Sequence, residues 1–353
     1  MLLRHIEYLF DKTLKTCHHH YIALCSHSLP FRNCHGTVAC NMYPAFGSWG
    51  GSSVFLKQFA TALRRCGFRL VFDLKKKTDV ILIIDPREDL LNKSFGMQDI
   101  LKYRKNNPGV KIIHRINECD QRKSTSFIDE ILHEANSAAD HTVFISEWLK
   151  EYFQARWFSG SRSNSTIYNG ADVSVFHPVG SASFRADGPL RLVTHHWSAN
   201  PMKGFPVYKM IDDMIADGEL PATELWIIGQ WPEGMQWRAA RTFGPASGVK
   251  LADLLRQCHV YITASLWEPC GMHHVEGVQC GLPLLYHEDG GGIVEAGKKY
   301  GISFRDDTIV EAIGAMRHNY KNLREKVFAN MPDGSMMASG YVRIVHRLMA
   351  ERE

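Results

Sequence analysis

The sequence predicts an α/β protein of two similar halves, each a parallel sheet flanked by helices. Three observations carry this expectation. Short apolar, β-rich runs alternate with helix-length segments along most of the chain, the pattern of βαβ units. That rhythm breaks once, at the Pro-, Gly- and Ser-rich stretch 178–189, and then restarts, as expected of a linker between domains. The length, 353 residues, suits two domains at about 150 residues each.

Residues 1–36 read as an N-terminal extension with no place in this rhythm. Leu3, Ile6, Phe10 and Leu14 recur at helical intervals and suggest a weak helix. Cys17, Cys25 and Cys34 lie among His18, His19, His20, His27 and His35, but no Cys-x2-Cys or His-x3-His spacing supports a zinc site. The first domain, 37–178, has strand candidates at Thr37–Met42, Arg69–Leu74, Val80–Ile84, Lys111–Ile116, Thr142–Ile145 and Thr166–Tyr168. Helix candidates between them are Val54–Cys66, Asp99–Asn106, Phe127–Ala138 and Trp148–Gln154. After a linker over 179–189, the second domain, 190–335, offers strands at Leu190–Thr194, Glu224–Ile228, Val260–Ala264 and Leu282–Tyr286. Its helices fit Gly204–Ile215, Leu251–Cys258, His273–Cys280 and Thr308–Met331. Residues 336–353 form a last helix, periodic over Ser339–Met349, whose docking face the sequence leaves open. Crossovers between parallel strands are right-handed, so ligand loops gather at the carboxyl ends of the strands. A ligand between two such halves is the natural expectation.

Composition narrows the function. Hydrophobic residues are 45% and charged residues 22%, an ordinary globular balance. No apolar run approaches the roughly 20 residues of a membrane span, and the N-terminus lacks a secretory pattern. Nine cysteines without regular spacing read as reduced thiols and point to a cytoplasmic protein, while the stripe Leu3, Ile6, Phe10 and Leu14 would dock on the domain or peripherally on a membrane surface. A net charge of +4 suits an anionic ligand without a basic stripe for nucleic acid. No Gly-x-Gly-x-x-Gly follows a strand, which disfavours a dinucleotide-dependent oxidoreductase.

The most informative segment is Ser265-Leu-Trp-Glu-Pro-Cys-Gly-Met-His-His-Val-Glu276. It leaves a strand, passes a Pro and a Gly, and enters a helix. Glu268 and Glu276 would stand up to about 12 Å apart along that helix, too far to share a proton and well placed for two ends of one polar ligand. Gly271 admits close backbone approach, and the N–H groups of Met272 and His273 would face an anion. Acidic residues near a helix start also simply suit its dipole. Lys203 sits at a helix start where the dipole disfavours a cation, which mildly favours a ligand role.

Glu268-x7-Glu276, in the form Trp-Glu-Pro-Cys-Gly, resembles the signature of the retaining family 4 glycosyltransferases. Four further segments, in the same order along most of residues 37–330, are similar to that family's. They are Gly47-Ser-Trp-Gly-Gly-Ser52, Tyr168-Asn-Gly-Ala-Asp-Val-Ser-Val-Phe-His-Pro178, Met202-Lys-Gly204 and Asp289-Gly-Gly-Gly-Ile-Val-Glu295. The resemblance implies the GT-B fold, two facing Rossmann-like domains. It also implies sugar transfer from a nucleotide-sugar donor to the hydroxyl of a glycan or glycoconjugate, with anomeric configuration kept and no cofactor or metal. Glu276 would then take the ribose hydroxyls, and Glu268 with the N–H groups of Gly271, Met272 and His273 would hold the donor sugar. Lys203 would neutralise the diphosphate. Gly50 and Gly51 would let a helix start reach the same phosphate, although a plain tight turn explains them as well. His114, ending the strand Lys111–Ile113, would face the donor sugar. The family's arginine shortly before the lysine is missing from His195-His-Trp-Ser-Ala-Asn200, so the resemblance leaves His195, His196 or Arg115 to supply a donor there. Arg115, Asn117, Glu118 and Asp120 form either an acceptor or phosphate surface or a solvated loop. An epimerase or phosphorylase on the same scaffold, or a non-catalytic binder, remains an alternative to the transferase.

Overall fold

A computed structural model of the chain describes residues 34–44, 50–88, 90 and 92–351. The helix expected near residues 3–14 and most of the Cys- and His-rich extension lie outside the described residues, as does Gly47–Trp49 of the first glycine loop.

Continuous apolar runs such as Val80–Ile83 are buried along their whole length, as in a sheet covered on both faces. Six strands form the first sheet: β1 (Gly36–Cys40), β2 (Phe68–Val71), β3 (Val80–Ile83), β4 (Lys111–Ile116), β5 (His141–Phe144) and β6 (Asn164–Thr166). Their order is β2-β1-β3-β4-β5-β6, and every pairing is parallel. The connecting helices are α1 (Gly50–Arg65), α2 (Met97–Asn106), the short α3 (Asp120–Lys123), α4 (Ile128–Asn136) and α5 (Glu147–Gln154).

The second sheet repeats the plan with β7 (Leu190–His196), β8 (Thr223–Gly229), β9 (Arg241–Phe243), β10 (Val260–Thr263), β11 (Leu284–His287) and β12 (Gly301–Phe304). Its order is β12-β11-β10-β7-β8-β9, again wholly parallel. Around it lie α6 (Phe205–Ala216), α7 (Gly248–Arg256), α8 (Met272–Gln279), α9 (Gly292–Tyr300) and α10 (Ile309–Ala329). In each sheet the strand order reverses beside the first strand, between β1 and β3 and between β7 and β10. These switch points open a crevice at the carboxyl ends of the strands.

The last helix, α11 (Gly334–Ala350), crosses back to the first lobe. Its Met337, Tyr341, Val345 and Leu348 share a core with Val38, Phe55, Phe59 and Val80. The Tyr341 ring lies 4.7 Å from that of Phe55 and 5.8 Å from that of Phe59. Another core runs between the lobes, from Ile116, Leu132 and Phe144 through Ala171 to Tyr261, Val275 and Ile293. Glu295 of α9 fastens the junction: its carboxylate accepts the N–H groups of Glu147 and Trp148 at the start of α5 and the Tyr168 hydroxyl. No helix among the described residues is long and apolar enough to cross a membrane.

Candidate donor site between the lobes

The site begins where β10 ends. Between Thr263 and α8 the chain is threaded between two neighbouring loops: Leu266 N–H donates to Met202 O at 2.9 Å and Trp267 N–H to Asp289 O at 2.8 Å. Trp267 takes a left-handed backbone with φ 52°, a conformation a bulky residue adopts only when its surroundings impose it. Glu268 follows, bridged to Gly291. On the other side, Asn200 caps the turn Pro201–Lys203 by accepting Met202 N–H. Gly204 then presses so close to β10 that a Cβ would stand 2.1 Å from Ala264 O, at a φ of +75°. Only glycine permits both.

This close approach brings Lys203 Nζ to 2.8 Å from Glu268 Oε2. The same oxygen accepts from Arg122 of α3, on the first lobe, at 3.0 Å from Nε and 2.8 Å from Nη2. Burial pushes the Glu268 carboxyl upward, but Lys203 and Arg122 outweigh it and hold the group well below the ordinary carboxylate range. Burial lowers Lys203, and Glu268 offsets only part of that.

Gly271 precedes α8 with no side-chain cap on the helix start. A Cβ there would meet the His273 ring at 2.5 Å and Glu268 Cγ at 2.9 Å. A Cβ on Gly51 would meet Met272 Cγ at 2.8 Å, so the starts of α1 and α8, one from each lobe, face each other. The uncapped start of α8 carries free N–H groups and partial positive charge. Farther along α8, Glu276 Oε2 lies 3.0 Å from His195 Nε2, while His195 Nδ1 lies 3.1 Å from the Tyr261 hydroxyl.

His196 is enclosed by Thr194 and Tyr208, and His273 by Thr263. Burial holds both rings well below the usual histidine range, so neither brings a positive charge beside Lys203. His114 is fully buried on β4, with Nδ1 3.1 Å from the Asn136 amide nitrogen; burial pushes it down to about 3. Arg115, on the opposite face of β4, donates to Asn169 and lies over the Phe55 ring. The structure thus hydrogen-bonds Lys203 to Glu268, packs Gly271 against Glu268 and His273 and Met272 against Gly51, and leaves His114 and Arg115 outside this cluster. Asp120 is a loop organiser: its carboxylate accepts the Thr125 hydroxyl and the N–H groups of Phe127, Ile128 and Asp129. Glu118 pairs with Lys123.

Arg122 is the residue that sequence reasoning missed. It lies two positions beyond the segment His114–Asp120 that drew attention, in Asp-Gln-Arg-Lys123. Nothing in local spacing separates it from Lys123; only the fold of the 117–129 loop aims it across the crevice.

No protein-family model matches the chain, and no curated protein matches its sequence. Solved structures do match over nearly its full length. Sucrose-phosphate synthase from Thermosynechococcus elongatus has a TM-score of 0.64 at 16% identity, covering 90% of this chain and 100% of that one. Anabaena HepE in complex with UDP has a TM-score of 0.66 at 13% identity, covering 88% and 100%. The HepE complex with UDP-glucose has a TM-score of 0.59 at 14% identity, covering 90% and 99%. Two wholly parallel six-stranded sheets in facing lobes, superposable on glycosyltransferases of this architecture, establish that the chain has the GT-B fold.

Proposed function

We propose that the protein is a retaining glycosyltransferase that moves a sugar from a nucleotide-sugar to an acceptor hydroxyl on a glycan or glycoconjugate by front-face attack. One observation carries the reading: the Lys203–Glu268 pair stands by the uncapped start of α8, against which the other lobe sets the start of α1. Cations and free N–H groups converging on one point suit a diphosphate leaving group. HepE is solved in complex with UDP and with UDP-glucose, which supports a donor of that class here.

In this reading Lys203 and the N–H groups at Gly271–His273 and Gly50–Gly51 stabilise charge as the glycosidic bond breaks. Glu268 and Glu276, acceptor-only groups when ionised, hold the hydroxyls of the donor sugar and of the ribose. Glu276 keeps its His195 contact through Oε2, which orients it, and offers Oε1 to the ribose. The departing phosphate takes the proton of the acceptor hydroxyl as it attacks from the same face. The protein supplies orientation and charge rather than a base, and no metal is needed for these roles. His114, buried beside Asn136 and held neutral, adds no positive charge to the site.

The test is to incubate the protein with a panel of nucleotide-sugars, with and without glycan acceptors, and follow free nucleotide. Acceptor-dependent release supports the transferase, and the anomeric configuration of the product, read by NMR, tests retention. Isomerised donor with no transfer, release driven by phosphate alone, or binding without turnover would each replace the reading with one of its competitors.

A further inference from the structure

We propose that Arg122 is the second diphosphate-binding cation of the donor site, supplied by the first lobe, and that Glu268 holds Arg122 and Lys203 in place until a nucleoside diphosphate arrives. This rests on reading the crevice as a nucleotide-sugar site.

The contacts are unusual in their economy. A single oxygen, Glu268 Oε2, accepts from Arg122 Nε, Arg122 Nη2 and Lys203 Nζ. The three side chains are only 6%, 13% and 13% exposed for Arg122, Lys203 and Glu268. Two buried cations against one carboxylate leave one positive charge uncompensated within the trio, a costly arrangement unless an anion is its regular occupant. Arg122 also keeps Nη1 buried without a hydrogen-bond partner among the described residues. A guanidinium with one edge on a carboxylate and a further N–H free is a fork suited to phosphate oxygens.

The second lobe does not meet this demand alone. The segment 195–200 before Lys203 holds no arginine, and His196 is kept neutral by burial. Lys123, beside Arg122 in sequence, is engaged by Glu118 at 2.9 Å. A diphosphate held by Lys203 and Arg122 therefore bridges the lobes, and its arrival releases Glu268 toward the donor sugar.

Calorimetric titration of the full chain with UDP, GDP and ADP, and with the matching nucleosides, tests this. The parent should bind one diphosphate more tightly than its nucleoside. Arg122→Gln should weaken that diphosphate by about tenfold or more and leave the nucleoside unchanged. Glu268→Gln should tighten the diphosphate, because the competing charge is gone. If Arg122→Gln fails to fold, Arg122→Lys should show a smaller loss confined to the diphosphate. Parent-like diphosphate affinity in the arginine variants overturns the assignment while leaving the nucleotide site standing, and unchanged or weaker binding by Glu268→Gln overturns the placeholder role. A parent that binds none of the three diphosphates sinks the nucleotide-sugar reading, and this inference with it.

Discussion

Glu276, midway along α8, and Lys203, on the turn before α6, serve one site, yet removing them should damage different steps. Glu276→Ala should weaken nucleotide binding, because the carboxylate holds ground-state hydroxyls. Lys203→Ala should slow transfer by about 10²–10³-fold, more than it weakens binding, since charge on the leaving group builds only in the transition state. Steady-state and single-turnover kinetics on both variants separate these effects, and parent-like behaviour in both would refute the site. Gly204→Ala should disrupt the same site without removing any polar group. Its backbone is left-handed and its Cβ would collide with Ala264 O, so Lys203 would be pulled from Glu268. Loss of transfer with nucleoside binding retained is the expected signature. At this scale the sequence drew attention to Glu268 and Lys203 by their place after strand ends, and the fold pairs them. It was silent on Arg122, whose role depends on a loop fold and on the facing lobe.

Helices and strands with strong apolar periodicity were legible to within a few residues. Lys111–Ile116 is the strand expected, and α5, expected at Trp148–Gln154, begins one residue earlier because Ser146 caps it by accepting Leu149 N–H. The edge strand β9 and the strand β12 escaped because Arg-Thr-Phe and Gly-Ile-Ser-Phe are short and half polar. Helix α9 was hidden behind the Gly290–Gly292 run, which reads as a loop until Ile293, Gly297 and Tyr300 are seen buried. The docking of α11 was open for a different reason: a periodic stripe shows that a helix is covered, not by what. Tyr341 now ties it to Phe55 and Phe59. Tyr341→Ala should cost about 3–5 kcal/mol, as other large aromatic truncations in cores do. Urea denaturation measures this, and a loss below about 1 kcal/mol would mean α11 contributes little to the first lobe.

For the whole molecule, buried neutral histidines set an acid limit. Burial pushes His114 down to about 3, and His141, His259 and His274 down to about 4. Below pH ~6.5 the unfolded chain takes up protons at these sites that the folded chain refuses. Stability is therefore intact above that pH and falls as pH drops from about 6.5 toward 4, by about 1.4 kcal/mol per pH unit for each histidine that stays neutral. Denaturation at pH 7 and pH 5 reads the slope, and a flat profile would contradict neutral burial. The two-lobed architecture itself was legible because βαβ rhythm and a linker are local patterns. The meeting of α1 with α8, and of Arg122 with Glu268, was not, because lobe-to-lobe geometry leaves no local trace. A crystal structure with a nucleoside diphosphate bound speaks most directly to that geometry. The diphosphate should lie between the starts of α1 and α8 within hydrogen-bonding distance of Lys203, with the ribose on Glu276. A nucleotide bound elsewhere, with the Lys203–Glu268 pair undisturbed, would contradict the proposed donor site.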